Sequence, residues 1–224
     1  EWGYRETDHL GGHDPYSGSK SCAELVAHSY HYSFLRDSQT RMATARAGNV
    51  IGGGDWATDR IVPDCIRAWS TQETVNVRRP GSTRPWQHVL EPLSGYLWLG
   101  AKLWSDPGNL DGEAFNFGPG PQQDMTVADL LETMANRWPG ATWQVPEGDA
   151  ATEREATLLR LSCDKALRQL DWHAVMQFPS TVALTIDWYR AWQDGGVDLH
   201  DFTVSQIEQY MDIARAAGVS WSNE

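Results

Sequence analysis

The sequence predicts an α/β fold with a largely parallel sheet, because short apolar runs alternate along it with longer segments of helical periodicity. The run 114–117 ends at a Gly-Pro-Gly turn and indicates a buried strand. The segments 15–35 and 93–104 carry apolar residues at helical spacing and indicate two long helices. With 224 residues, the chain is long enough for one large domain or for a domain and a smaller lobe.

The remaining elements follow from the same patterns and from capping residues. Thr126, with Asp129 three residues later, resembles a capping box and predicts a helix that runs to about residue 138. Ser162 is predicted to cap a short helix. Further helices are expected at 61–69 and, as an amphipathic pair, at 179–217. Further strands are expected at 42–46, 74–77, 143–145 and 158–161, with loops at 48–56 and 78–86.

Composition restricts the classes of function. The net charge of −12 argues against general binding of nucleic acid or of a membrane surface, and no apolar run approaches the roughly twenty residues that span a bilayer. Cys22, Cys65 and Cys163 are too few and too widely separated for a disulfide framework or a zinc site, which indicates a reducing cytoplasm. Cys22 and Cys65 fall in predicted helices and are expected to be buried.

Histidines give no convincing metal site. Asp8, His9 and His13 lie near one another in the sequence, but in a glycine-rich loop, and we predict no metal ligand among them. Trp56 and Trp86 lie in loops rich in glycine, proline and arginine, so stacking against a sugar is one interpretation of them and core packing is the other.

The most informative segment places Tyr16 and Lys20 four residues apart at the start of the first helix. Asp14 is a good N-cap and Pro15 suits the first helical position. At this spacing the two side chains share one side of the helix, so the ammonium can lie near the phenol. A nearby cation favours the phenolate, which abstraction of a hydroxyl proton requires. The spacing alone is common in helices, so this interpretation depends on the rest of the chain.

A second glycine-rich segment, 48–56, follows a predicted strand. It is a poor dinucleotide fingerprint, because Asp55 stands where pyrophosphate would be repelled and the next helix begins several residues later. Asn49 is either a turn residue or an amide donor to a ligand. Arg60 and Arg84 carry planar guanidinium groups, whose donor geometry suits phosphate oxygens.

Several long segments carry a resemblance that extends over essentially the whole chain. They are 11–17, 46–56, 84–93, 116–119 and the Gln206–Tyr210 pair near the end. In these segments the chain resembles the extended short-chain dehydrogenase/reductase family of sugar-nucleotide epimerases and dehydratases, and within it the 4,6-dehydratases.

The resemblance implies a Rossmann-like parallel sheet that lacks its N-terminal strands, plus a smaller C-terminal α/β lobe that binds substrate. Residues 1–119 would form the remainder of the NAD-binding domain, and 120–224 mainly the lobe. Relatives carry a glycine-rich NAD turn and a segment for elimination ahead of the position of Glu1. The sequence therefore resembles the C-terminal two-thirds of such an enzyme, and we expect the 224-residue chain by itself to be inactive.

The resemblance also implies roles for individual residues. Tyr16 would take the proton of the sugar's carbon-4 hydroxyl while NAD accepts hydride, and Lys20 would hold the nicotinamide ribose. The overall reaction would be loss of water, a lyase reaction, on a nucleotide sugar, CDP-glucose. Its substrate contacts would be Asn49, Arg60, Arg84 and Glu155, although Arg154 replaces the histidine that usually precedes the last of these. No metal, nucleic acid or membrane is implied.

The same resemblance implies a homodimer or higher assembly, built through the helices at 15–35 and 91–105. Helix amphipathicity would be explained equally well by packing on the sheet. Two other functions stay open. One is a different nucleotide-sugar enzyme, an epimerase or a reductase, and the other is a non-catalytic remnant that only binds a nucleotide sugar.

Overall fold

The structure is a computed structural model and describes residues 2–146 and 159–223. The α-helices in this part of the chain are α1 (Pro15–Tyr30), α2 (Ile61–Ser70), α3 (Leu90–Ser105), α4 (Val127–Ala135), α5 (Asp164–Leu170), α6 (Phe178–Asp194) and α7 (Leu199–Ala217). The strands there are β1 (Thr44–Ala47), β2 (Val50–Ile51), β3 (Val75–Asn76), β4 (Thr83–Pro85), β5 (Gln87–His88), β6 (Ala114–Phe117), β7 (Asp124–Thr126) and β8 (Trp143–Gln144).

Strand pairing is mostly parallel. β1 pairs with β6, β2 with β5 and β3 with β8, each in parallel, whereas β4 and β7 form an antiparallel pair. Each parallel pair joins strands that are distant in the sequence, with helices in the connection, as parallel pairing requires. The predicted α/β class is confirmed.

Most predicted elements are present, with differences at their ends. The capping box is present, since the Thr126 hydroxyl accepts from the Asp129 backbone N–H and the Asp129 carboxylate accepts from that of Thr126. The cap predicted at Ser162 is wrong: the N-cap of α5 is Cys163, whose side chain makes no capping bond. Where a strand was predicted at 158–161, Leu161 makes only an isolated parallel bridge with Tyr4, and residue 158 lies outside the described residues.

Among the described residues, two large hydrophobic clusters and a small third one around Tyr210 hold these elements together. The larger joins α2, α4 and α6 and includes Ile66, Leu131 and Ile186, none of which is exposed. The second joins α3, β6 and α5 around Phe115, Phe117 and Trp172. A glycine at position 95 lets α3 approach β6 closely, because a Cβ there would lie 2.2 Å from the Phe117 ring.

α1 differs from the other long helices in burying no side chain among the described residues. It is followed by a π-helical turn at His31–Leu35. The helical spacing was predicted correctly, but its apolar residues Leu25, Val26 and Phe34 are all exposed. Cys22 is exposed as well, so its predicted burial is wrong, whereas Cys65 on α2 is buried as predicted. Spacing shows which residues share a helix face but not what covers that face.

In the part of the chain that the structure describes, no helix combines the length and the apolar character needed to cross a membrane.

Candidate functional site

The start of α1 has the geometry that its sequence predicts. Asp14 Oδ1 accepts the Ser17 backbone N–H at 3.0 Å, and bonds from Ser17 hold the pKa of that carboxyl below its usual range. Lys20 Nζ lies 5.5 Å from the centre of the Tyr16 ring, within cation–π range. The Tyr16 side chain is 71% exposed. The pair is therefore formed and is open to a ligand.

The segment that leads into α1 is fixed by Asn116 of β6. Its side-chain amide donates to the carbonyl oxygens of Tyr4, at 3.0 Å, and Ser162, at 3.1 Å. The Asn116 backbone N–H donates to Glu6 Oε1 at 2.9 Å. Asn116 thus joins the chain before Tyr16 to the strand end that precedes the Gly118-Pro119-Gly120 turn.

A largely buried ion pair attaches α1 itself to β1. Arg46 donates to Glu24 through Nε, at 2.5 Å, and through Nη2, at 3.0 Å, and both side chains are about four-fifths buried. The Arg46 bond is the main reason that the pKa of Glu24 lies below its usual range. Such a two-point pair fixes orientation as well as distance.

Asn49 is a direct neighbour of the segment that carries Arg84. Asn49 follows β1, and its backbone oxygen accepts from the Gln87 N–H at 3.0 Å. Arg84 lies on β4 opposite Met125, and its Nη1 donates to the Thr83 carbonyl at 2.8 Å. Parallel strands β2 and β5 connect the two positions.

The Arg-Pro-Trp-Gln-His segment begins with one partly exposed residue, Arg84, and its other four residues are buried. Trp86 is 5% exposed and donates through Nε1 to the Met125 carbonyl, so the interpretation that it stacks against a sugar is wrong. Gln87 donates to the Phe117 carbonyl at 3.2 Å. Burial lowers the pKa of His88 to about 4, so this imidazole is neutral at pH 7.

Arg60 lies at the N-terminus of α2 and forms an ion pair with Asp55, Nη1 to Oδ2, at 3.4 Å. Its side chain is 64% exposed. Asp55 belongs to the glycine-rich loop 52–60, in which a Cβ at Gly53 would lie 2.1 Å from the Trp188 ring. The glycine is therefore needed for packing against α6.

The structure thus places the predicted residues in two groups. Tyr16 and Lys20 lie together on α1, and Asn49 adjoins the segment of Arg84, while Arg60 is on the loop after β2. Glu155 and Arg154 lie outside the described residues.

A cavity of about 640 Å³ opens beside the Gly118-Pro119-Gly120 turn. Its lining includes Arg5, Arg160 and Arg168, a local basic surface in an acidic chain. Arg160 is also paired with Asp124 at 3.3 Å. Among the described residues, this lining includes none of the predicted site residues.

Sequence analysis missed the residues that hold the predicted ones in place. Asn116 was recognised only as part of a family motif, and its bonds to Tyr4 and Ser162 depend on residues 112 and 46 positions away. Tyr189 donates to the backbone oxygen of Asp55, 134 positions away, at 2.6 Å. No local pattern in the sequence could have paired these residues.

Comparison with solved structures places the fold among nucleotide-sugar enzymes. A dTDP-glucose 4,6-dehydratase from Streptomyces venezuelae, solved with NAD bound, superposes with a TM-score of 0.64 at 20% identity, covering 85% of this chain and 55% of that one. A UDP-glucose 4-epimerase from Stenotrophomonas maltophila, also with NAD, superposes with a TM-score of 0.66 at 17% identity, covering 85% and 59%. The fold is therefore that of short-chain dehydrogenase/reductase dehydratases and epimerases.

Sequence comparison is more specific. The chain is 42% identical over 216 residues to the CDP-glucose 4,6-dehydratase of Salmonella typhimurium, a match that covers 94% of this chain. The chain spans 59% of the length of that relative. No family model matches the chain. The predicted resemblance to the nucleotide-sugar epimerases and dehydratases is confirmed.

Proposed function

We propose that the chain is part of a NAD-dependent CDP-glucose 4,6-dehydratase, a hydro-lyase of the cytoplasm. The observation that carries the proposal is the Tyr16–Lys20 pair, with its ammonium 5.5 Å from the phenol ring, in a chain 42% identical to such an enzyme. Residues 1–119 would belong to its NAD-binding domain, and 120–224 mainly to its substrate lobe.

The residues of α1 fit one end of the cofactor. The exposed Tyr16 side chain and the Lys20 ammonium are suited to contact the nicotinamide ribose, with the ammonium as the donor. NAD would supply the hydride acceptor for oxidation at carbon 4 and, after water has left from carbons 5 and 6, the hydride donor to carbon 6. Tyr16 takes the proton of the carbon-4 hydroxyl, and Lys20 stabilises the phenolate that does so.

The arginines supply the charge that the substrate needs. A nucleoside diphosphate carries about two negative charges, and a chain with a net charge of −12 must offset them locally. Arg84 is the principal contact and Arg60 the second, with Asn49 donating its amide to a phosphate or sugar oxygen. Glu155 would bind the ribose hydroxyls.

The exposed face of α1 supports the proposed dimer. Leu25, Val26 and Phe34 on and just after α1, and Leu97 and Trp104 on α3, are all more than half exposed. We propose that α1 and α3 pair with the same helices of a second copy, which would remove this apolar surface from water.

Titration calorimetry with CDP-glucose tests the substrate. We expect binding by the wild-type chain, and at least ~10-fold weaker binding by Arg84→Ala, because a guanidinium–phosphate pair is a strong charge-assisted contact. Arg137→Ala is the matched control, since Arg137 is ion-paired with Asp187 and is not one of the predicted site residues. Equal affinity for CDP-glucose in Arg84→Ala and wild type would remove Arg84 from the site.

A product assay separates the alternatives. A preparation that turns over CDP-glucose should form a keto sugar that absorbs in alkali, without net accumulation of NADH. Formation of a 4-epimer, or net NADH, would instead indicate an epimerase or a reductase. Binding without turnover in the longest natural form of the protein would indicate a binding remnant.

A further inference from the structure

The loop that carries Asp55 is fixed by contacts with two helices, α6 and α2. Trp188 of α6 fills the space over Gly53, where a Cβ would lie 2.1 Å from its ring. The next residue, Tyr189, is fully buried and donates its hydroxyl to the Asp55 carbonyl at 2.6 Å. Burial raises the pKa of Tyr189 to about 12, so the phenol stays protonated and remains a donor.

Aromatic contacts of Trp56 and hydrogen bonds from Arg67 also fix the loop. The Trp56 ring lies 5.3 Å from that of Tyr189 and 4.6 Å from that of Trp192. Arg67 of α2 donates to the carbonyl oxygens of Trp56, at 3.1 Å, and Ala57, at 3.3 Å. The backbone of the loop is therefore fixed at consecutive residues by groups outside it.

The Asp55 carboxylate links this loop to Arg60. Asp55 Oδ1 accepts the Ala57 backbone N–H at 2.9 Å, which fixes the carboxylate within the loop. The other oxygen, Oδ2, pairs with Arg60 Nη1 at 3.4 Å. Tyr189 thus fixes the backbone of Asp55, and Asp55 in turn holds the Arg60 guanidinium, which is otherwise largely exposed.

We propose that Tyr189 is a positioning residue for Arg60: through Asp55 it holds the guanidinium ready for the diphosphate of a nucleotide sugar. This inference rests on the proposed function, because that proposal assigns Arg60 to the diphosphate. Asp55 orients Arg60 before binding, but at 3.4 Å and with a partly exposed carboxylate it is a weak partner, so a doubly charged diphosphate, which the Asp55 carboxylate repels, takes its place at Arg60. Preorganisation lowers the entropy that Arg60 loses on binding.

The first test measures Arg60 without any ligand. The 224-residue chain and its Tyr189→Phe variant are treated with phenylglyoxal, and modification of Arg60 is followed by peptide mass spectrometry. Arg215 of α7, which pairs with Asp212 at 2.9 Å, is the internal reference. We expect Arg60 to react several-fold faster in Tyr189→Phe while Arg215 is unchanged. Equal rates at Arg60 would overturn the proposal.

The second test measures binding of CDP and CDP-glucose by calorimetry. Tyr189→Phe should weaken both about 3- to 10-fold, as expected for one lost hydrogen bond. Tyr210→Phe is the matched control, because it removes a buried hydroxyl that bonds to Glu91 and Ser94 instead. In an Arg60→Gln background, Tyr189→Phe should have no further effect, since its action passes through Arg60.

The outcomes separate this inference from the proposed function. If the wild type binds neither CDP nor CDP-glucose, the proposed function fails, and the labelling rates alone decide whether Tyr189 positions Arg60. If the wild type binds and Arg60→Gln binds more weakly, but Tyr189→Phe binds normally, only the positioning role is overturned. A Tyr189→Phe effect that persists in the Arg60→Gln background also overturns it, because Tyr189 would then act by another route.

Discussion

The two halves of the proposed site are held in different ways. α1, which carries Tyr16 and Lys20, buries no side chain and is attached through polar contacts such as the pair between Arg46 and Glu24. α6, which supports the loop before Arg60, buries seven residues. The region proposed to bind phosphate is thus fixed by hydrophobic packing within the described residues, whereas the region proposed to transfer the proton depends on a few charged groups and presents an apolar face.

The largest expected difference comes from replacing a leucine by alanine in the core beside α6 and on α1. Leu131 of α4 is completely buried beside α6, and Leu131→Ala should lower the free energy of unfolding by about 2–5 kcal/mol. Leu25 of α1 is 57% exposed, so Leu25→Ala should change it by less than about 0.5 kcal/mol. Chemical denaturation at low protein concentration measures both.

A large loss of stability in Leu25→Ala would contradict the expected difference between exposed Leu25 and buried Leu131. It would show that α1 is covered in solution, and a dependence of that loss on protein concentration would identify a second copy as the cover.

The next effect concerns a buried carboxyl group that joins α3 to the small third cluster around Tyr210. Glu91 of α3 is buried and accepts from the backbone N–H groups of Val175 and Met176 and from the Tyr210 hydroxyl. Burial raises the pKa of Glu91 from 4.5 to about 7. Its contribution to stability is therefore complete below pH 4.5 and is lost as the pH rises through about 7.

Comparison with Glu91→Gln isolates that effect. Gln keeps the shape, can accept both backbone N–H groups and can donate to Tyr210, but it does not ionise. Between about pH 5 and about pH 8, the wild type should lose about 2–3 kcal/mol relative to Glu91→Gln in denaturation experiments. Parallel pH profiles of the two proteins would contradict the assignment.

Some of these features could be predicted from the sequence alone, and others could not. Helical spacing located α2, α3 and α4, and the i,i+4 rule placed Lys20 near Tyr16. The pairing of β4 with β7 was missed, because Thr83-Arg84-Pro85 has neither the alternation nor the apolar content of a strand and depends on a partner about forty residues later. Exposure of Cys22 was missed because a helical pattern does not identify the covering surface.

The third effect tests the packing of the loop against α6. Gly53→Ala would place a methyl group within the volume of the rigid Trp188 ring, so ring or loop must move. We expect a loss of about 1–3 kcal/mol in the free energy of unfolding, together with weaker binding of CDP-glucose. Wild-type stability in this variant would mean that α6 does not fix the loop, and would weaken the assignment of Tyr189 as well.

The smallest expected effect comes from a glycine-to-alanine substitution on α1, which should raise the free energy of unfolding instead of lowering it. A Cβ at Gly18 would meet nothing within 4 Å, and glycine is unfavourable inside a helix. Gly18→Ala should therefore raise the free energy of unfolding by about 0.5–1 kcal/mol, and it should slow amide exchange in the first turns of α1. Gly18 lies between Tyr16 and Lys20, so the variant also tests whether that part of the proposed site requires a first helical turn of low stability. If stability rises and CDP-glucose affinity is unchanged, the stability of α1 is limited only by its own helix propensity. If stability falls, another surface packs against Gly18.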